Sequence, residues 1–158
     1  AELENVAMPG YANHSIWRRT LEYDPKNYDL ALIQLTTPSR LEFYRGKQWI
    51  EISAQLSHAE LSEYDKRYWK FYYENIYNDK MGDVDEDMAI TGIRDHFAVA
   101  KIPCIIVTSE KYTRSKKFDI NLWDYNFPLD NTRHPSDIGH RIISKHILSY
   151  YENIISGM

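Results

Sequence analysis

The order strand, helix, strand, helices, strand, helix predicts an α/β domain built on a doubly wound parallel sheet. Three observations carry this. Residues 29–35 and 102–107 are nearly continuous in apolar side chains, as suits strands covered on both faces. Three longer segments repeat their apolar residues at helical steps. At 158 residues, 43% hydrophobic and 27% charged, the chain has the size and composition of one domain, residues 1–158, around one core.

Taken in order, Asn5-Val6-Ala7-Met8 is a short apolar run stopped by Pro9 and Gly10, the pattern of a strand ending in a turn. Asn13 or Ser15 then caps a helix running to about Glu22. Asp24-Pro25-Lys26-Asn27 is a loop before the strand at 29–35. Ser57-His58-Ala59-Glu60 has capping-box spacing. After it Leu61, Tyr64, Tyr68, Phe71, Tyr72 and Ile76 recur three and four residues apart, giving one apolar face. Asp83-Val84-Asp85-Glu86 opens a further helix with Ala89, Ile93, Phe97 and Ala100 on a face. Residues 102–107 form the next strand; Pro103 is tolerable near its start, where a ladder donor is dispensable. Residues 118–122 alternate and fit a half-exposed strand. Pro135 suits the first turn of a last helix, whose stripe is Ile138, Ile142, Ile143, Ile147, Tyr150 and Ile154.

Composition excludes several partners. The net charge is −4, and basic residues do not cluster beyond pairs such as Lys116-Lys117, so nucleic acid is not an expected partner. No apolar run reaches the length of a membrane span. A single cysteine, Cys104, precludes an internal disulfide, and its apolar surroundings make it a small buried hydrophobe rather than a reactive thiol. Thirteen tyrosines and four tryptophans leave two readings, ring packing in the core or a sugar- or partner-binding surface. The amino terminus shows no initiator Met and no signal peptide, so it does not specify a compartment, and cytoplasmic stands as the default.

No cofactor or metal is expected. Asp83, Asp85 and Asp87 start like a calcium loop, but Met88 and Arg94 stand where that loop requires Gly and Glu. His134, His140 and His146 are six apart and share no helix face. No phosphate-binding glycine loop or dinucleotide fingerprint is present.

The stretch richest in chemistry is Asp130-Asn131-Thr132-Arg133-His134-Pro135-Ser136-Asp137-Ile138-Gly139-His140. A histidine just before a helix, with an acid a few residues upstream, suits a general base and the carboxylate that orients it. His134-Pro135 followed by Gly139-His140 resembles the last block of SGNH (GDSL-like) hydrolases, which typically reads Asp-x-x-His-Pro-x-x-x-Gly-His. The resemblance implies His134 as catalytic base. Asn131 stands where that block has its acid, so Asp130, four residues before His134, becomes the candidate orienter. Asp137 and His140 repeat the Asp-x-x-His spacing inside the helix start, where Asp137 also favours the helix dipole.

Two further stretches are similar to the same family. Residues 5–13 look like its second block, in which a strand ends at a glycine whose N–H stabilises an oxyanion; Gly10 matches that glycine. Asn13 either donates into the same site or caps the helix. Residues 29–35 match the strand of the third block, which usually ends Gly-x-Asn-Asp. Here it continues Thr36-Thr37-Pro38-Ser39-Arg40, so the asparagine donor is missing. Thr36, Thr37 or Arg40 then stands in for it, or Arg40 is a salt-bridging loop anchor. The block bearing the nucleophilic serine is not found within residues 1–158, and neither Ser15 nor Ser39 sits in a recognisable nucleophile turn.

The resemblance implies a flavodoxin-like three-layer doubly wound sheet, incomplete at its amino-terminal end. It also implies an esterase or acyl hydrolase acting on a small-molecule or carbohydrate ester by Ser-His-Asp chemistry, with the serine supplied from upstream. Two rivals remain: a non-catalytic SGNH-like module that binds a carbohydrate or protein, and an unrelated flavodoxin-like α/β domain. Residues 1–158 alone are expected to show negligible serine-dependent turnover. In that arrangement the missing strand lies between the second- and third-block strands. Its absence predicts self-association, a homo-oligomer, or a rearranged amino-terminal strand.

Overall fold

The computed structural model describes residues 2–8, 10–54, 61–109, 117–131 and 135–157. In chain order the elements are α1 (Asn13–Thr20), β1 (Ala31–Leu35), β2 (Leu41–Arg45), β3 (Gln48–Ile52), α2 (Glu63–Asn75), α3 (Asp79–Val99), β4 (Cys104–Thr108), β5 (Ile120–Asn121) and α4 (Asp137–Ser156). They fall into two compact units. One comprises Ala1–Tyr23 and Thr36–Ile93; the other comprises Asp24–Leu35 and Arg94–Met158.

The second unit holds a three-stranded parallel sheet in the order β1-β4-β5. Ala31 to Leu35 pair in register with Cys104 to Thr108, and Val107 and Thr108 pair with Ile120 and Asn121. Both apolar runs are therefore parallel strands, and the alternating segment near residue 120 is a third. On one face Ile105, Val107, Ile120 and Leu122 form a buried cluster. Ile143, Ile147, Tyr150 and Ile154 of α4 pack against it, so most of that helix's anticipated stripe faces the sheet. Ile138, at the helix start, is instead 62% exposed. Ile106 points the opposite way and is also fully buried. Ser136 caps α4, and Pro135 lies before the cap in an isolated bridge with Leu129 rather than in the first helical turn.

Asp119 ties this unit together. Its carboxylate accepts the Ile106 N–H at 2.7 Å, the Arg94 guanidinium at 2.9 Å and the Tyr150 hydroxyl at 2.9 Å. Cys104 is half-buried, and burial pushes its thiol up to about 12, so it is protonated at neutral pH.

Residues 5–8 form no strand. Among the described residues they join no ladder, and Val6 and Met8 are exposed. A strand exists only against a neighbour. Without one, the Asn5 side chain accepts the Ala7 N–H at 3.1 Å, a local bond that competes with extended pairing. β1 is correspondingly an edge strand, and Leu32 is 49% exposed, so cover on both faces holds for β4 but not for β1.

In the first unit, β2 and β3 form an antiparallel hairpin in which Leu41 to Arg45 pair with Ile52 to Gln48. Gly46 and Lys47 both have positive φ, 61° and 73°, as a two-residue type I′ turn requires. α2 opens at Ser62, whose hydroxyl accepts the Asp65 N–H while the Asp65 carboxylate accepts the Ser62 N–H, a reciprocal capping box. The box expected at Ser57–Glu60 lies outside the described residues. Asp65 also pairs with Arg45, which fixes the face that α2 turns inward. Trp69 stacks on Phe43, and the Tyr73 hydroxyl donates to the Ser39 carbonyl at 2.7 Å. The apolar face read from the sequence is therefore split: Leu61 is buried and Tyr72 half-buried, but Tyr64, Tyr68, Phe71 and Ile76 are exposed. α3 begins at Asp79, a turn earlier than the acidic run suggested, and buries Glu86, Ala89, Ile90, Ile93 and Phe97.

Candidate functional site

A loop and a helix start build the candidate site in the first unit. Gly10 has φ +87°, a backbone conformation that side chains with a Cβ rarely adopt, so glycine is required where the chain turns into α1. Ala12 then stands at the N-cap with no side-chain oxygen to offer. Glu51, from β3, supplies the missing acceptor: its carboxylate takes the Ala12 N–H at 2.9 Å and the Ser15 hydroxyl. Burial pushes the Glu51 carboxyl above its ordinary value, Ser15 and the Ala12 N–H oppose the shift, and the neighbouring Glu42 adds to it. Glu42 lies directly across the hairpin and is neutralised by Arg18 at 2.9 Å. Two like charges thus tolerate a cross-strand position because one is paired and the other is bonded to the helix start.

Asn13 does not cap α1. It is the first helical residue, 5% exposed, and its carboxamide clips the backbone of Thr36. Thr36 N–H donates to Asn13 Oδ1 at 2.8 Å, and Asn13 Nδ2 donates to the Thr36 carbonyl at 3.1 Å. Nδ2 also lies 3.4 Å from the carboxylate of Glu86, which is fully buried. An asparagine can serve all three bonds because its side chain carries both an acceptor and two donor hydrogens. After Thr36 the chain turns: Arg40 N–H donates to the Thr37 carbonyl at 3.1 Å, and the Thr37 and Ser39 hydroxyls are 3.2 Å apart. The Tyr73 hydroxyl pins the Ser39 carbonyl, and burial among rings raises the Tyr73 phenol, keeping it a donor. The Arg40 side chain is half-buried and makes no ion pair or hydrogen bond among the described residues.

The structure therefore brings Asn13 and Thr36 into direct contact and places Thr37 and Arg40 in the turn that follows. Gly10 precedes the same helix start. His134 lies outside the described residues. Asp130 belongs to the second unit, where it is exposed in the segment bounded by the Leu129–Pro135 bridge. Asp137 sits exposed in the first turn of α4, favouring its dipole, and His140 is exposed one turn on. Gly139 has a packing reason of its own. A Cβ there would lie 2.5 Å from the Pro128 carbonyl oxygen, whose partners are the N–H and hydroxyl of Ser136. Ser15 is fully buried and committed to Glu51, which removes it as a nucleophile for substrate.

Sequence reasoning missed Glu51 and Glu86. Glu86 stands in an acidic run whose other members are not fully buried, and only the helix phase selects it. Glu51 had a signal once the hairpin is recognised: it stands directly opposite Glu42, a like-charge pair that asks for compensation. No group of three or more His, Cys, Asp and Glu residues placed to hold a metal occurs among the described residues. No described helix is long and apolar enough to cross a membrane. No family model matches the chain, and no curated protein or solved structure matches it either.

Proposed function

We propose that residues 1–158 form the greater part of an SGNH-type esterase or acyl hydrolase. The observation that carries this reading is the Asn13 clip. It ties the loop leaving parallel strand β1 to the turn that follows Gly10, two of the three stretches on which the family resemblance rests. Open α/β sheets place ligands at the carboxyl ends of their strands, and Thr36 follows the end of β1 directly.

In this reading a serine outside residues 1–158 attacks the ester carbonyl. His134 takes the hydroxyl proton and Asp130 orients the imidazole. The Gly10 N–H stabilises the oxyanion of the tetrahedral intermediate, which collapses as His134 returns the proton to the leaving alcohol. Water then repeats the cycle on the acyl-serine and releases the acid. The test is turnover of a short-chain aryl ester by a polypeptide extended upstream of Ala1, beside His134→Ala. Turnover that falls by about a thousandfold or more in the variant supports the reading. Equal rates overturn it.

A second reading, a non-catalytic module for a carbohydrate or protein, is favoured by one observation. Tyr64, Tyr68 and Phe71 line an exposed face of α2. Inactivity of the extended polypeptide, with saturable sugar or protein binding lost in Tyr68→Ser, would support it.

A further inference from the structure

Four described arginines are half-buried: Arg18, Arg19, Arg40 and Arg94. Arg18 pairs with Glu42, Arg19 with Glu22 and Arg94 with Asp119. Arg40 has no such partner among the described residues. An arginine held in a turn with no acid beside it keeps its five N–H donors open to an incoming acceptor. Its own turn carries hydroxyl groups and no acidic residue. The Thr37 and Ser39 hydroxyls lie in the same turn, 3.2 Å apart. The Ser53 hydroxyl is buried without a hydrogen-bond partner, one residue beyond Ile52, whose carbonyl lies 3.5 Å from the Tyr73 hydroxyl that holds Ser39. The backbone of this turn is fixed from both sides, at Thr36 by Asn13 and at Ser39 by Tyr73. A fixed turn carrying a cation and hydroxyl donors has the chemistry of an oxyanion receptor.

We infer that the turn Thr36–Arg40 binds an oxyanion, a carboxylate or phosphate carried by a small molecule, with Arg40 as its charged contact. This assignment rests on the surroundings of Arg40 and holds whether or not the hydrolase reading does. Where both hold, the anion belongs to the substrate, and Arg40 sets specificity for charged over neutral esters.

The test is a titration of residues 1–158 with inorganic phosphate and, separately, acetate, followed through backbone amide and Arg40 side-chain resonances. The expected result is saturable shifts centred on residues 36–40. The better of the two probes distinguishes a tetrahedral from a planar anion. Arg40→Gln should weaken binding by about tenfold or more, and Arg40→Lys by less, since lysine keeps the charge but loses the planar fork. Arg67→Gln, at an exposed arginine on α2, should leave affinity unchanged. No saturation, shifts centred elsewhere, or equal losses in Arg40→Gln and Arg67→Gln would overturn the assignment. If Arg40→Gln does not fold, the wild-type shift map decides alone. No turnover is measured, so failure here is separate from failure of the catalytic reading.

Discussion

α4 and α2 make opposite use of similar patterns. Each carries large apolar side chains at helical spacing. In α4 they form a dominant stripe of isoleucine and tyrosine, five of whose six members are withdrawn from solvent, and the other large apolar residues left outside on the helix are Leu148 and Ile155. In α2 rings surround the helix: Tyr64, Tyr68 and Phe71 lie on one side, Trp69, Tyr72 and Tyr73 on the other. Hydrophobicity cannot then choose a phase. The choice falls to polar anchors, the Arg45–Asp65 pair and the Tyr73–Ser39 bond, which turn the second set inward. A periodic stripe predicts burial when it is unique, and predicts only a helix when it is not.

Substitutions on the two helices should separate these cases. The largest effect belongs to α4. Gly139→Ala forces a methyl against the Pro128 carbonyl and should cost about 1–3 kcal/mol, with Ile147→Ala similar, by urea unfolding. Costs near zero would mean that α4 does not pack where described.

Next comes the polar anchor of α2. Arg45 and Ser62 hold the Asp65 carboxyl at about 2, below its ordinary 3.8. A depressed carboxyl stabilises the fold above its unfolded value and loses that contribution as pH falls through the folded one. The wild type should therefore lose stability between about pH 4 and 2 relative to Asp65→Asn, and melting curves across that window check it. Parallel curves would show that the pair does not set the phase of α2.

Glu51 has the opposite sign. Its carboxyl is raised from an ordinary 4.5, so its contribution is full below that value and fades as pH rises through the folded one. Glu51→Gln should gain on the wild type as pH rises above the ordinary carboxylate value, because glutamine stays neutral and can still bond both Ser15 and Ala12. The smallest effect is on the outer face of α2: Tyr68→Ser should stay within about 0.5 kcal/mol. A larger loss would mean that this face is covered.

The parallel strands and the helices were legible because apolar runs and single stripes report burial directly. The β2–β3 hairpin has a weaker signature. Gly46-Lys47 between two alternating segments is a two-residue turn signal. Residues 5–8 read as a strand because composition records strand propensity, whereas pairing needs a neighbour. Within the site, Gly10, Thr36, Thr37 and Arg40 could be chosen from motif positions. The partner of Asn13 could not, since a side chain that bonds another segment's backbone leaves no periodic trace. Glu86 could be picked out only by helix phase, and Glu51 only once the hairpin sets it opposite Glu42.

The account turns on the Asn13 clip, and amide hydrogen exchange at Thr36 tests it most directly. In Asn13→Ala the Thr36 amide should lose its protection. The Ile106 amide, held by Asp119 in the other unit, should keep its own. A Thr36 amide as protected in Asn13→Ala as in the wild type would contradict the clip, and with it the site built on it.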